Sequence, residues 1–172
     1  MRVDVILIGI GANLPGAHGS PRETCEAALE ELGRRGVAIL RASRWYESAP
    51  VPISDQPWFV NGVAEVATAV SPHALLALLH DVERAFGRVR GARNAARTLD
   101  IDLLDYDGMV VAEAGGLELP HPRMAARAFV LVPLAEIAPQ WRHPVSKLTA
   151  AQLIAGLPPD GQDVRPLAPE NT

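Results

Sequence analysis

The sequence has little cysteine, few aromatic residues, no long apolar run and no excess of positive charge. Cys25 is the only cysteine among 172 residues, so an internal disulfide and a cysteine-based zinc cluster are both excluded. Its position among apolar neighbours in a predicted helix is typical of a small buried side chain. A chain without disulfides fits a reducing compartment, and we expect a cytoplasmic protein.

The other absences bound the partners of the chain. No apolar segment reaches the length of a membrane span, and the first strand leaves no room for a signal peptide, so we expect no membrane partner. The chain has 16 Lys and Arg residues and 20 Asp and Glu residues, which gives a formal net charge of −4. Any affinity for phosphate must therefore be local. The length suits one domain with its own core, which we predict over residues 1–160, followed by a loosely held tail over 161–172.

The order of apolar periodicities predicts an α+β fold. Strand-like runs and helical stripes follow one another as strand–helix–strand–strand–helix–strand. Ser20 and Glu23 form a predicted capping box at the start of the first helix, and Ser71 opens the second. Further helical segments follow, and Pro133 predicts a break or a kink in the first of them. This pattern indicates a ferredoxin-like βαββαβ core with a mainly antiparallel sheet, helices packed on it and extra C-terminal helices.

Two carboxylates alternate with apolar residues in the last strand of this core. Asp100 and Asp102 are two residues apart, so they share one face of the strand, while Leu99, Ile101 and Leu103 point to the other face. Adjacent like charges are costly unless a cation lies between them, and Mg²⁺ is typically bound by one or two carboxylates together with substrate phosphates. A solvated strand face explains the same alternation, so the local pattern leaves both interpretations open.

A loop rich in arginine precedes these carboxylates. Its planar donors match phosphate oxygens, and with the carboxylates they indicate phosphoryl transfer on a nucleotide. A general preference for arginine in this chain, or a weak contact with nucleic acid, would also explain the loop. Single-stranded RNA modules of this fold stack bases on sheet aromatics, and Phe59 and Tyr106 do not form such a run. The four arginines are Arg88, Arg90, Arg93 and Arg97.

Other polar and aromatic positions have both structural and functional interpretations. Asn61 lies in a predicted apolar strand, where its amide either bonds a neighbouring loop or presents a donor and an acceptor to a planar heterocycle. His121 is held between two prolines in an extended segment. Phe59 and Phe129 are, by residue type, more often core than stacking platforms. His80 and Glu83, one helical turn apart, suit a surface pair.

Together these segments resemble the 6-hydroxymethyl-7,8-dihydropterin pyrophosphokinase family of the folate pathway. The resemblance runs from Ile8 to about Pro139 and rests on the order and spacing of four motifs. The motifs are Gln56-Pro57-Trp58-Phe59-Val60-Asn61, Gly87-Arg88-Val89-Arg90, Arg97-Thr98-Leu99-Asp100-Ile101-Asp102 and Pro120-His121-Pro122-Arg123-Met124. It implies an enzyme that transfers the β,γ-diphosphate of ATP to the hydroxymethyl group of the reduced pterin and releases AMP.

The resemblance also assigns residues. Two Mg²⁺ ions would be held by Asp100 and Asp102, and Arg88 and Arg97 match the arginines that hold the phosphates. Positions around ATP are matched by His80, Glu83, Leu103, His121 and Arg127. The pterin positions are matched by Asn61 as the reading amide, by Phe59 and Phe129 as the aromatic pair, and by backbone groups of Ser48, Ala49 and Val51.

The chain departs from the family pattern in the arginine loop. Asn94-Ala95-Ala96 stands where the family often has Trp-Gly-Pro, so an aromatic contribution to closing the site is in doubt. Two other classes of function stay open at this point: a nucleic-acid-binding module, which the net charge disfavours, and another Mg²⁺-dependent nucleotidyl or phosphoryl transferase on the same scaffold. We expect a monomer that acts on ATP and the pterin, with no nucleic-acid partner.

Overall fold

The computed structural model describes residues 4–50, 54–87, 98–160 and 162–168. Within those ranges, no helix combines the length and the apolar character that crossing a bilayer requires. In chain order the elements are β1 (Ile6–Ala12), α1 (Pro21–Arg34), β2 (Ala38–Ala42), β3 (Tyr46–Ser48), β4 (Phe59–Ala67), α2 (Pro72–Ala85), β5 (Asp100–Tyr106), β6 (Val111–Ala112), β7 (Glu118–Leu119), a 3-10 turn (Met124–Ala126), α3 (Ala128–Ile137), α4 (Ala150–Ala155) and β8 (Val164–Pro166).

One antiparallel sheet organises the molecule. Its strand order is β5-β1-β4-β3-β8, and β2 pairs with β4 further along that strand, beyond β3. Strands β6 and β7 form a separate ribbon. The first helix begins at the predicted capping box, in which Ser20 accepts from the N–H of Glu23 and the Glu23 carboxylate accepts from the N–H of Ser20. These features confirm the predicted α+β class with a mainly antiparallel sheet.

The first face of the sheet is covered by α1 and α2, and we call it the core face. Large aliphatic side chains of β1, β4 and β5 meet the apolar stripes of both helices there, and each fully buried one contributes roughly 1.5–3 kcal/mol. Cys25 is also buried in this layer, as predicted. The main members of the core are Ile8, Ile10, Leu32, Ala64, Val66, Leu75, Leu79, Leu99, Ile101 and Leu103.

The second face is only partly covered. Leu7, Val63 and Leu104 pack there against the 3-10 turn, α3 and the segment around Trp141. Toward the other end of the same strands the side chains become small or polar. This surface, which we call the glycine face, consists of Gly9, Gly11, Asn61, Asp100 and Asp102.

Two segments differ from the sequence-based expectation. Helix α3 continues through Pro133, and the break lies at Arg127, between the 3-10 turn and α3. The apolar contacts of α3 on the sheet outweigh the one backbone hydrogen bond that proline removes. In the tail, residues 164–166 form β8 against β3 where a loosely held segment was expected, whereas residues 161 and 169–172 lie outside the described ranges.

Candidate active site

The glycine face brings the predicted carboxylates and the predicted amide into one row. Gly11 of β1 pairs with Asp100 of β5 on one side and with Asn61 of β4 on the other. Adjacent strands lie about 4.8 Å apart, so the backbones of Asp100 and Asn61 are separated by about 10 Å. The next row pairs Gly9 with Asp102. The predicted metal site and the predicted pterin site therefore lie on opposite sides of Gly11.

The glycine at the centre of this row lets the Asn61 amide approach closely. A Cβ atom on Gly11 would lie 2.6 Å from Oδ1 of Asn61 and 3.4 Å from the carbonyl oxygen of Val60. On Gly9 the same atom would lie 3.6 Å from the Leu104 side chain, which is an ordinary van der Waals distance. The sequence analysis assigned no role to these two glycines. Leu7, Gly9 and Gly11 alternate with three isoleucines along β1. This alternation indicates that both glycines face the side of the sheet opposite to the isoleucines.

Asp100 and Asp102 lie on the same face of β5, as predicted, and both are half-buried. Among the residues that the structure describes, no group of three or more histidine, cysteine or acidic side chains could hold a metal ion. Two carboxylates without a third protein ligand fit Mg²⁺, which keeps several waters and takes substrate phosphates as its remaining ligands. The donor set therefore suits a metal that arrives with a phosphorylated substrate.

His121 stands beside this carboxylate pair. Its Nδ1 accepts a hydrogen bond of 3.2 Å from the Arg123 N–H, so the neutral ring carries its proton on Nε2. That Nε2 lies 3.9 Å from Oδ1 of Asp102. Burial, followed by the positive charges of Arg127 and Arg123, lowers the pKa of His121 to about 4, against an opposing effect of Asp100. His121 is therefore neutral at pH 7 and offers a hydrogen-bond donor rather than a charge.

Glu83 reaches the same strand from the helix behind it. It lies on α2 with 2% of its surface exposed, so the surface location that the pair with His80 was expected to have is wrong for Glu83. Its Oε2 accepts a hydrogen bond of 2.9 Å from the N–H of Ile101, the residue between the two carboxylates. Leu103 is buried on the core face, so its side chain points away from Asp102 and only its backbone is available to the glycine face.

The amide end of the row is built from two neighbouring strands. Asn61 is buried, and its Nδ2 donates a hydrogen bond to Oγ of Ser48, which is also buried. Ser48 pairs with Phe59 in the β3–β4 register, so all three side chains lie on one side of the sheet. Of the alternatives for Asn61, a bond to a neighbouring segment is present, and it fixes the orientation of the amide.

The two predicted aromatic walls come from different elements. Phe59 begins β4 and Phe129 lies in the first turn of α3, and both are half-buried. The Arg127 guanidinium lies 5.3 Å from the centre of the Phe129 ring. Three other predicted residues, Arg88, Arg97 and Val51, lie outside the described ranges.

The sequence analysis missed Asn13, which joins two loops next to the site. This residue is 1% exposed, and its Nδ2 donates to Oε1 of Gln56 at 3.0 Å and to the carbonyl oxygen of Pro57 at 3.1 Å. The loop after β1 is thereby tied to the segment that leads into Phe59. Its position in the sequence could have indicated this role, because Asn13 follows Gly11 by two residues and so continues the alternation of Gly9 and Gly11.

Solved structures resemble this architecture. The wild-type Plasmodium falciparum HPPK-DHPS crystal structure matches with a TM-score of 0.67 and 13% sequence identity, over 88% of this chain and 44% of that chain. At this identity the similarity concerns the fold alone.

Closer relatives are found by sequence. A 2-amino-4-hydroxy-6-hydroxymethyldihydropteridine pyrophosphokinase of Pseudomonas aeruginosa is 40% identical over 91% of this chain and 93% of its own length. One from Synechocystis is 39% identical over 95% of this chain and 80% of its own length. The folic acid synthesis protein fol1 of Pneumocystis carinii is longer, and this chain spans 22% of it at 33% identity.

The family model described as 7,8-dihydro-6-hydroxymethylpterin-pyrophosphokinase (HPPK) matches residues 7–139, which include both the carboxylate strand and the amide strand. The chain therefore belongs to this family, and it is a diphosphotransferase that transfers pyrophosphate from ATP to hydroxymethyldihydropterin in folate biosynthesis.

Proposed function

We propose that the transfer takes place on the glycine face, with the nucleotide at the Asp100 end and the pterin at the Asn61 end. The observation that carries this proposal is the row in which Gly11 separates Asp100 from Asn61. Gly11 adds no side chain to this row, so the oriented Asn61 amide occupies the space beside it. Substrates bound at the two ends of the row would meet above Gly11, which a diphosphate transfer needs, because the attacking and leaving oxygens must lie on opposite sides of one phosphorus.

At the nucleotide end, Asp100 and Asp102 are the proposed ligands of two Mg²⁺ ions. When bound, these ions neutralise phosphate charge and make the attacked phosphorus more electrophilic. The neutral His121 carries its Nε2 proton on the Asp102 side, where it is available to a bound substrate group and does not compete with a cation. Glu83 holds the backbone of Ile101 and thereby sets the direction of both carboxylates.

The remaining nucleotide contacts follow from the resemblance. Arg88 and Arg97 hold the transferring phosphates, and their planar guanidinium groups match phosphate oxygens in pairs. His80 and Arg127 contact ATP through their side chains, whereas Leu103 contributes only its backbone because its side chain is in the core.

At the pterin end, Asn61 reads the polar edge of the ring, and Phe59 and Phe129 enclose its two faces. Ser48 accepts one amide proton of Asn61 and so presents the rest of that amide to the ligand. Backbone groups of Ala49 and Val51 complete the recognition.

Reaction then depends mainly on placement. The hydroxymethyl oxygen attacks the β-phosphorus of ATP, a new P–O bond forms, the bond from this phosphorus to AMP breaks, and the hydroxyl proton is released to solvent. Because the protein supplies little covalent chemistry to such a step, its rate comes from positioning and charge neutralisation. We propose that the enzyme works as a cytoplasmic monomer, where ATP and Mg²⁺ are available.

The direct test is the release of AMP from ATP and Mg²⁺, with and without 6-hydroxymethyl-7,8-dihydropterin. We expect AMP to form only when the pterin is present, in equal amount to the pterin diphosphate. AMP release at the same rate without the pterin would indicate a hydrolase and contradict the proposal.

A further inference from the structure

Residues 162–167, which we call the C-terminal clasp, touch each of the three segments that carry the proposed pterin contacts. We propose that the clasp is a positioning element for the pterin half of the site, and that its contact through Arg165 has little influence on the nucleotide half. This inference rests on the proposed function, because it takes the pterin residues from there.

The clasp supports β3 along its outer edge. Strand β8 pairs with β3, so that Val164 lies opposite Ser48, and the N–H of Ala49 donates to the carbonyl oxygen of Asp163 at 3.2 Å. Without β8, the three-residue strand β3 would be a sheet edge with unpaired backbone groups. Ser48 is the residue that orients the Asn61 amide, so the position of β3 determines the position of that amide.

The clasp also caps the helix that carries Phe129. The first N–H groups of a helix have no partner within it. At α3 the N-cap residue Arg127 supplies no side-chain cap. Instead, Oε1 of Gln162 accepts from the N–H of Ala128 at 3.0 Å, and its Nε2 donates to the carbonyl oxygen of Ala126 at 3.3 Å. One side chain therefore fixes the backbone on both sides of the entry into α3, directly before Phe129.

A third contact reaches the residue before Phe59. The Arg165 guanidinium lies 4.7 Å from the centre of the Trp58 ring and forms an ion pair with Glu47 of β3. It thus links β3 to the segment that leads into the other proposed aromatic wall. A planar guanidinium can stack on an indole and pair with a carboxylate at the same time, which lysine cannot do equally well.

The contacts made by Val164 and Arg165 lie far from the nucleotide half in the sheet, whereas Gln162 bonds the backbone on both sides of Arg127, which the proposed function places near ATP. Strand β8 is at one end of the order β5-β1-β4-β3-β8, and Asp100 and Asp102 are on β5 at the other. Loosening the clasp should therefore weaken pterin binding more than ATP binding. A merely structural role would instead lower stability and affect both substrates alike.

The test compares Gln162→Ala and Arg165→Ala with a matched control. Arg34 forms an exposed ion pair with Glu31 on α1, with side-chain exposures of 64% and 25%, against 65% and 28% for Arg165 and Glu47. We expect each clasp variant to raise the KM for the pterin by roughly 3- to 10-fold, the size of one or two lost hydrogen bonds. In Arg165→Ala the KM for ATP should stay within about two-fold of wild type, whereas Gln162→Ala also loosens the backbone beside Arg127 and should change the KM for ATP, but less than the KM for the pterin. Arg34→Ala should change neither value, and Arg165→Lys should lie between wild type and Arg165→Ala.

Two further measurements separate the possible failures. Thermal unfolding of each variant shows how much stability is lost, and quenching of pterin fluorescence measures binding to the wild type and to Asn61→Ala. If the wild type binds pterin, Asn61→Ala does not, and the clasp variants behave like Arg34→Ala or raise both KM values equally, the clasp proposal alone is overturned. If the wild type does not bind pterin, the proposed function fails and the clasp proposal fails with it.

Discussion

The two faces of β1 show how one strand serves stability and chemistry separately. Toward the core face it presents Ile6, Ile8 and Ile10, all of which are buried against the helices. Toward the other face it presents Leu7, Gly9 and Gly11, so the side chains shrink to hydrogen as the strand approaches the carboxylates and the amide. Alternate residues of seven consecutive positions therefore fill a core and clear a site.

This difference shows that Gly9 and Gly11 serve the site because they have no side chain. An isoleucine stabilises by the area that it removes from water. Gly11 instead leaves the space that the Asn61 amide occupies. Substitutions on the two faces should therefore have separable effects, with stability changing on the core face and substrate kinetics on the glycine face.

The largest expected effect comes from the carboxylates of the glycine face. Asp102→Asn keeps the size of the side chain and removes its charge, and we expect AMP release to fall by about 10³-fold, because metal-assisted charge stabilisation provides several kcal/mol. Thermal unfolding should change little. Asp81→Asn on the exposed surface of α2 is the matched control and should keep wild-type activity. An Asp102→Asn enzyme with near wild-type turnover would contradict the assignment.

A core-face substitution should give the opposite result. Ile8 is fully buried, so Ile8→Ala should cost about 2–5 kcal/mol of unfolding free energy through lost burial and the cavity that remains. We expect the KM values for both substrates to stay within about two-fold of wild type at a temperature where the variant is folded. Urea denaturation and steady-state kinetics on the same sample check this, and a large change in KM without loss of stability would break the comparison.

The two glycines provide an internal comparison on one strand. Gly11→Ala places a methyl group against Oδ1 of Asn61, so the amide must move, and we expect the KM for the pterin to rise by about 10-fold, the size of a modest overpacking cost. Gly9→Ala meets Leu104 at an ordinary distance and should change this KM by less than about three-fold. Equal effects of both substitutions would show that the row through Gly11 has no special role.

The smallest expected effect concerns Cys25, whose thiol should stay unreactive in the native protein. Burial raises the pKa of this thiol to about 12, so it is protonated at pH 8 and enclosed in the core face. A thiol reagent should not label it in the native protein at that pH and should label it in urea. The same protection is expected in Gly11→Ala, and rapid labelling of that variant would mean that the glycine face cannot be altered without opening the core.

The local features of the fold could be predicted from sequence because they depend on residues close together in the chain. The alternation that places Asp100 and Asp102 opposite Leu99, Ile101 and Leu103 needs only the period of a strand. The capping box of α1 likewise needs only four residues.

The features that escaped prediction depend on contacts between distant residues. The position of Gly11 between Asp100 and Asn61 follows from the register of three strands, which no local pattern contains. Strand β8 has three residues and ends in a proline, so it carries no periodicity, and Gln162 caps a helix whose first residue lies 34 positions earlier. The continuity of α3 through Pro133 is a packing effect of the same kind.

The central claim is that a metal–nucleotide end and a pterin end meet across Gly11. Paramagnetic broadening by Mn²⁺, added with a non-hydrolysable ATP analogue to isotope-labelled protein, tests it most directly. The account predicts broadening of the backbone amide signals of Gly9 and Gly11, of both aspartates of β5 and of the Asn61 side-chain amide, while Gly33 on α1 stays sharp. Sharp signals from Gly9, Gly11 and Asn61, together with broadening elsewhere on the molecule, would contradict it.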